Sequence, residues 1–142
     1  MIQFTVAELV NQYDGKPFAH KGRGPDAFDC WGLIIDAYAS KGVAVFDLED
    51  YEVEWARRGK NIILDNYYEN WQKVTAPMVG DVILFHYPRP DSKVQHAGIF
   101  LEYGRFIHAA NIGIIQSTIH EWKDRVHGYY RWIDLKTKPS SM

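Results

Sequence analysis

The stretch Phe28–Ile35, FDCWGLII, decides how this chain is read: it holds the only cysteine among 142 residues and sets it at a helix start. Asp29 is a good N-cap, with a carboxylate that can accept an N–H from the first turn. Leu33, Ile34, Ala37 and Tyr38 then recur at helical spacing along CWGLIIDAYASK, and Gly42 supplies the stop. Cys30 therefore stands in the first turn. Free cysteines are commonly buried as small hydrophobes, and that use would suit the middle of a helix. The first turn suits a nucleophile, because the helix dipole and the unpaired N–H groups favour a thiolate. Such a thiol has to be exposed there and activated, and a nearby protonated imidazole would give a Cys–His ion pair.

Upstream, DGKPFAHKGRGPDAFD (residues 14–29) carries three glycines and two prolines and reads as a long irregular loop, usually functional or mobile. Before it, Thr5-Val6-Ala7-Glu8 has the form of a capping box, which predicts a short helix from about Val6 to Tyr13. Downstream, YEVEWARRG and NIILDNYYENW read as short helices between Asp50 and Trp71. Beyond Val79 the pattern turns to strands: DVILFHY, QHAGIFL, RFIHAAN, GIIQSTI and GYYRWIDL, with YPRPDSK and EYG as turns. In the turn before the first, Gly80 allows a tight bend and Asp81 can bond the turn backbone. Helices first and an antiparallel meander second predict an α+β class. The tail KTKPSSM reads as frayed.

The bulk properties narrow the function classes. A chain of 16.5 kDa with 46% hydrophobic residues can bury its own core, which predicts a single domain over residues 1–142. A net charge of -2 gives no general attraction to nucleic acid or to an anionic membrane. The opening MIQFTVAELVNQY lacks the regions of a signal peptide, and no apolar run approaches the ~20 residues that span a bilayer. A single cysteine excludes an internal disulfide and fits synthesis in a reducing compartment. The expected location at synthesis is cytoplasmic.

Two of the six histidines flank a hairpin in HAGIFLEYGRFIH. A two-residue turn at Tyr103-Gly104 would put His96 and His108 on opposite faces. A three-residue loop, Glu102-Tyr103-Gly104, pairs Leu101 with Arg105 and makes the histidines diagonal neighbours on one face. Glycine at the last loop position favours the longer loop, since that residue takes the left-handed conformation. Gly98 then leaves open space opposite His108. In this register His96 can take the thiol proton and later return it to a leaving amine, while His108 fixes the tautomer of His96. Two strand histidines satisfied by backbone groups are the plainer alternative. Cys30, His86, His96, His108 and Asp81 lack the close spacing usual in zinc sites, so no metal and no cofactor is expected. His120 and His127 read as surface residues.

FDCWGLI, GDVILF at Gly80–Phe85 and HAGIFLEYGRFIHA at His96–Ala109, in this order, resemble the NlpC/P60 family of papain-like cysteine peptidases from about Thr5 to Ile133. The resemblance implies N-terminal helices packed on a C-terminal antiparallel sheet. It also implies Cys30 as nucleophile, His96 as base, His108 as orienting third residue and peptidoglycan stem peptides as substrate. KPFAHKGRGPDAFDCWG is similar to the phage-tail branch, which implies tail proteins as further partners and a virion tail acting at the host cell wall. Two positions depart from the family pattern. Trp31 follows the cysteine where many members have serine, and Phe18 stands where many have tyrosine. Phe18, His20, Arg23, Asp29 and Trp31 are therefore the candidate substrate-binding residues around Cys30. Asp29 can meet a cationic amine or simply cap the helix. His20 can replace the missing tyrosine hydroxyl as an oxyanion donor or stand solvated, and Lys21 and Arg23 can attract carboxylates or be ordinary surface charges. A tail-tip structural protein that keeps the fold and only binds partners is the competing class.

Overall fold

The computed structural model describes residues 2–45, 71–86 and 94–133. The helices expected between Asp50 and Asn70, the YPRPDSK turn and the KTKPSSM tail lie outside them. Helix α1 (Val6–Tyr13) begins with the expected capping box: Thr5 Oγ1 accepts from the Glu8 N–H at 3.1 Å, and Glu8 Oε1 accepts from the Thr5 N–H at 2.7 Å. Helix α2 (Cys30–Ala39) begins at Asp29 and ends three residues before Gly42, whose φ of +78° turns the chain away. Seven of its ten residues are buried, which makes α2 a core helix with little polar face.

Six strands follow: β1 (Trp71–Val74), β2 (Val82–His86), β3 (Val94–Phe100), β4 (Arg105–Ala110), β5 (Gly113–Thr118) and β6 (Val126–Trp132). Between β5 and β6 lie a one-turn helix, α3 (Ile119–Trp122), and a 3-10 turn (Lys123–Arg125). The described strands form one antiparallel sheet in the order β1-β6-β2-β3-β4-β5. The fold class is the expected α+β, but the sheet is not a simple meander, because β6 returns to lie between β1 and β2. Strand β1 starts at Trp71, the residue expected to end a helix. Trp71 is drawn into the sheet by its tertiary partners, Trp132 across the β1–β6 pair at 5.1 Å and Tyr38 of α2 at 5.4 Å between ring centroids.

Strand alternation splits the sheet into two apolar faces. Val82, Leu84, Ala97, Ile99, Ile107 and Tyr130 pack with α2 in the main core. Ile83, Phe85 and Phe106 form a second cluster on the other face, joined by Phe100, Ile119, Trp122, Val126 and Tyr129. β2 is buried on both faces, as the unbroken run VILF requires. The turn before it behaves as its sequence predicts. Gly80 takes φ +95° where a Cβ would strike the Phe4 ring, and Asp81 Oδ2 accepts from the Met78 N–H at 2.7 Å.

Candidate active site

Cys30 is placed by its helix start and by the loop that precedes it. Asp29 Oδ1 accepts from the Gly32 N–H at 2.7 Å, the N-cap bond, and from Arg23 Nη1 at 2.9 Å. Its other oxygen, Oδ2, is buried with no hydrogen-bond partner among the described residues. The loop is ordered by its own backbone: Phe28 N–H donates to Pro17 O, Ala19 N–H to Phe28 O, Gly22 N–H to Ala19 O and Asp29 N–H to Gly22 O. Its start is strapped to β5, where Gly15 N–H donates to Ile114 O at 2.9 Å and Ile114 N–H to Lys16 O at 2.8 Å. The Gly22 carbonyl sits so close to α2 that it fills the place of a Cβ on Gly32. That contact explains the glycine in DCWG.

The hairpin adopts the register that its turn chemistry favours. Leu101 N–H donates to Arg105 O at 2.8 Å around Glu102-Tyr103-Gly104, and Gly104 takes φ +71°. Ile99 pairs with Ile107 and Phe100 with Phe106. The β3–β4 pairing ends there, and the backbone N–H of Ala97 is among the groups that favour the Cys30 thiolate. The thiol thus reaches β3 at the residue next to His96. Beyond the last pair, His108 leans over Gly98, where a Cβ would lie 3.2 Å from the His108 Cβ. His96 Nε2 and His108 Nδ1 are hydrogen-bonded at 2.7 Å. The line continues through His108 Nε2 to Ser117 Oγ of β5 at 2.9 Å. Trp122 closes this side, stacked on His96 (5.7 Å, 27°) and edge-on to His108 (5.1 Å, 80°).

The electrostatics differ from the expected ion pair. Cys30 is only 8% exposed, and burial pushes its thiol up to about 12. The Asp29 carboxylate acts in the same direction, while the N–H groups of Ala97 and Trp31 and the Arg23 guanidinium oppose it. Burial lowers His96 to about 3, with His108 adding to the shift, and lowers His108 to about 4. Burial thus favours the neutral forms of both the thiol and the imidazoles, because their charges are poorly solvated there. The expectation of an exposed thiol is corrected accordingly.

The other candidates divide. Trp31 is 0% exposed, so its indole belongs to the core and cannot touch a substrate, contrary to expectation. Phe18 is half-buried and bridges to Phe28, two residues from Cys30. Arg23 is tied to Asp29 and to Gly22 O, so it is a built-in ion pair and not a free surface charge. His20 is exposed in the turn closed by the Gly22-to-Ala19 bond. Ser117 and Trp122 escaped sequence reasoning. The alternation of GIIQST, read against the β4 register, puts Ser117 diagonal to His108, but nothing local marks Trp122 as a neighbour of the histidines. No cluster of three or more metal-ligating side chains occurs among the described residues.

A probable endopeptidase of Mycobacterium tuberculosis is 29% identical over 110 residues, which cover 78% of this chain and 24% of that protein. This chain thus spans about a quarter of the length of that curated relative. A crystal structure from Staphylococcus aureus, described as similar to a lipoprotein of the NLP/P60 family, is 26% identical and superposes with a TM-score of 0.65, covering 92% of this chain and 41% of the other. RipD of Mycobacterium tuberculosis, described as a non-catalytic NlpC/p60 domain protein adapted to peptidoglycan binding, shares the fold at 19% identity, with a TM-score of 0.60 and 94% and 99% coverage. The NlpC/P60 family model itself matches residues 15–131, and the chain belongs to that family.

Proposed function

We propose that the chain is a cysteine peptidase that hydrolyses an amide bond in peptidoglycan stem peptides, with Cys30 as nucleophile, His96 as base and His108 as the residue that orients it. The observation that carries this reading is the 2.7 Å bond between His96 and His108, beside the strand residue whose N–H meets the Cys30 sulfur. With Nε2 of His96 engaged by His108, Nδ1 is the nitrogen left for the thiol proton. As that proton moves to Nδ1, the sulfur attacks the amide carbon. The C–N bond then breaks, and Nδ1 returns the proton to the departing amine. Water next attacks the thioester while Nδ1 takes its proton, and collapse releases the acid and restores the thiol. A neutral resting pair suits this sequence, since charge develops only once substrate is in place.

The Cys30 N–H, in the first turn of α2, and His20 are the proposed oxyanion donors, and Phe18 and the Arg23–Asp29 pair flank the approach. The likeness of the upstream loop to the phage-tail branch supports a role at a tail tip, with tail proteins as partners. Digestion of purified peptidoglycan, with fragments identified by mass spectrometry, tests the reading. New amine ends must appear with the wild type and be absent with Cys30→Ala.

The buried, protonated thiol favours a second reading, in which the groove binds peptidoglycan or a tail partner without cutting. In that case the wild type and Cys30→Ala would both bind peptidoglycan in a pull-down and neither would release fragments.

A further inference from the structure

The histidine pair does not end at His108. Its Nε2 lies 2.9 Å from Ser117 Oγ, and Ser117 comes from β5, on the far side of β4 from His96. A row of three groups in which each ring nitrogen has a single partner can carry its protons in only two orders. In one, Ser117 donates to His108 Nε2, His108 Nδ1–H donates to His96 Nε2, and the proton of neutral His96 sits on Nδ1, where it would block the base. In the other, His96 Nε2–H donates to His108 Nδ1, His108 Nε2–H donates to Ser117 Oγ, and His96 Nδ1 carries a free lone pair. The two orders differ in chemistry, and the Ser117 hydroxyl, able to donate or accept, is compatible with either.

Several groups bear on that choice. Glu121, in the first turn of α3, lies close enough to His108 to raise its proton affinity, and its Oε1 is held by the Thr118 N–H and hydroxyl. Glu121 is exposed, and its charge favours the protonated form of His108 without selecting a ring nitrogen. From β3 the neighbour is the neutral His96. Arg125 lies 4.9 Å over the Trp122 ring. Trp122 covers both rings, so water has poor access to compete for the ring nitrogens.

We infer that Ser117 is a fourth, positioning member of the site: by accepting the His108 Nε2–H it selects the tautomer that leaves His96 Nδ1 free as base. The two hydrogen bonds place Ser117 on His108, and the direction chosen for them rests on the peptidase reading above, which needs a free lone pair on His96 Nδ1. Imidazole nitrogen shifts, measured by long-range proton–nitrogen correlation on histidine-labelled protein at pH 7.5, report each tautomer directly. The wild type is expected to show His108 protonated at Nε2 and His96 at Nε2. Ser117→Ala should mix or reverse both tautomers while the amide spectrum stays dispersed, and Ser117→Thr should restore the wild-type pattern. On peptidoglycan fragments, Ser117→Ala should lower kcat about tenfold with little change in KM, the scale of one lost neutral hydrogen bond. A wild type with the proton of His108 on Nδ1, or a Ser117→Ala protein with unchanged tautomers, would overturn the inference. Tautomers that shift as stated in proteins that never cleave would uphold the placement of Ser117 and sink the peptidase reading instead.

Discussion

The Gly22 carbonyl occupies the space that a β-carbon on Gly32 would take. Two glycines, one in the upstream loop and one in the first turns of α2, thus fix how closely the loop lies against that helix. The same carbonyl also accepts the Asp29 N–H and the Arg23 guanidinium, so it serves as the hub of the DCWG turn.

Gly32→Ala should therefore be more harmful than its one added methyl suggests. The obstacle is backbone and cannot rotate away, so the loop must move. Overpacking of this kind costs about 1–3 kcal/mol. Urea unfolding should show that loss, and peptidoglycan cleavage should fall even at temperatures where the variant stays folded. An alanine variant with wild-type stability and turnover would mean that the loop is free to lift.

Stability should be greatest in a neutral window. Unfolded imidazoles titrate near 6.5, whereas native His96 and His108 do so only near 3 and 4. Between those values the unfolded chain binds more protons than the native one, so the stability from both residues is complete above pH 6.5 and drains away as pH falls toward 4. Cys30 gives the opposite limb: its native thiol ionises near 12 against 9.0 unfolded, so its contribution is lost as pH rises above 9. Denaturant midpoints measured from pH 3 to 11 should trace this dome, with the acid limb flattened in His108→Asn.

Alkylation of Cys30 in the free protein should be slow. A buried thiol held far above its ordinary pKa presents little thiolate at neutral pH, so iodoacetamide at pH 7 should label it well over tenfold more slowly than the urea-unfolded chain. The rate should climb only in the alkaline range. Rapid labelling at pH 6 would instead reveal a standing thiolate–imidazolium pair.

Trp122 should matter to the histidines as well as to packing. Trp122→Ala removes a half-exposed ring from the second core cluster, which should cost about 2 kcal/mol, below the range for fully buried tryptophans. It also admits water to the pair, so both imidazoles should titrate closer to 6.5 and the acid loss of stability should begin at higher pH. Trp122→Phe keeps a ring in place and should recover most of both effects. Denaturant midpoints of the two variants, compared between pH 4 and 8, provide the check.

What the sequence revealed was local. The capping box at Thr5, the cap at Asp29 and the three-residue hairpin loop each follow from a few adjacent side chains, and the hairpin in turn sets His96 and His108 on one face. What it concealed depends on distant partners. β6 slips between β1 and β2 because Trp132 and Tyr130 find Trp71, Lys73 and Val82 from the far end of the chain. Trp31, an outlier beside Cys30 in sequence, points into the main core once α2 meets the sheet. The depth of the thiol was hidden for the same reason: a first-turn cysteine looks exposed until β3 opens its ladder to receive it.

The strap between the upstream loop and β5 governs the order of assembly. Gly15 and Lys16 bond to Ile114, a partner near the other end of the described chain. Contacts of such high sequence separation form slowly, since a large loop must close before they gain anything. The hairpin histidines can meet early, within one local unit. The upstream loop reaches its final position only when β5 has joined the sheet, so the histidine hairpin can form before Cys30 is seated.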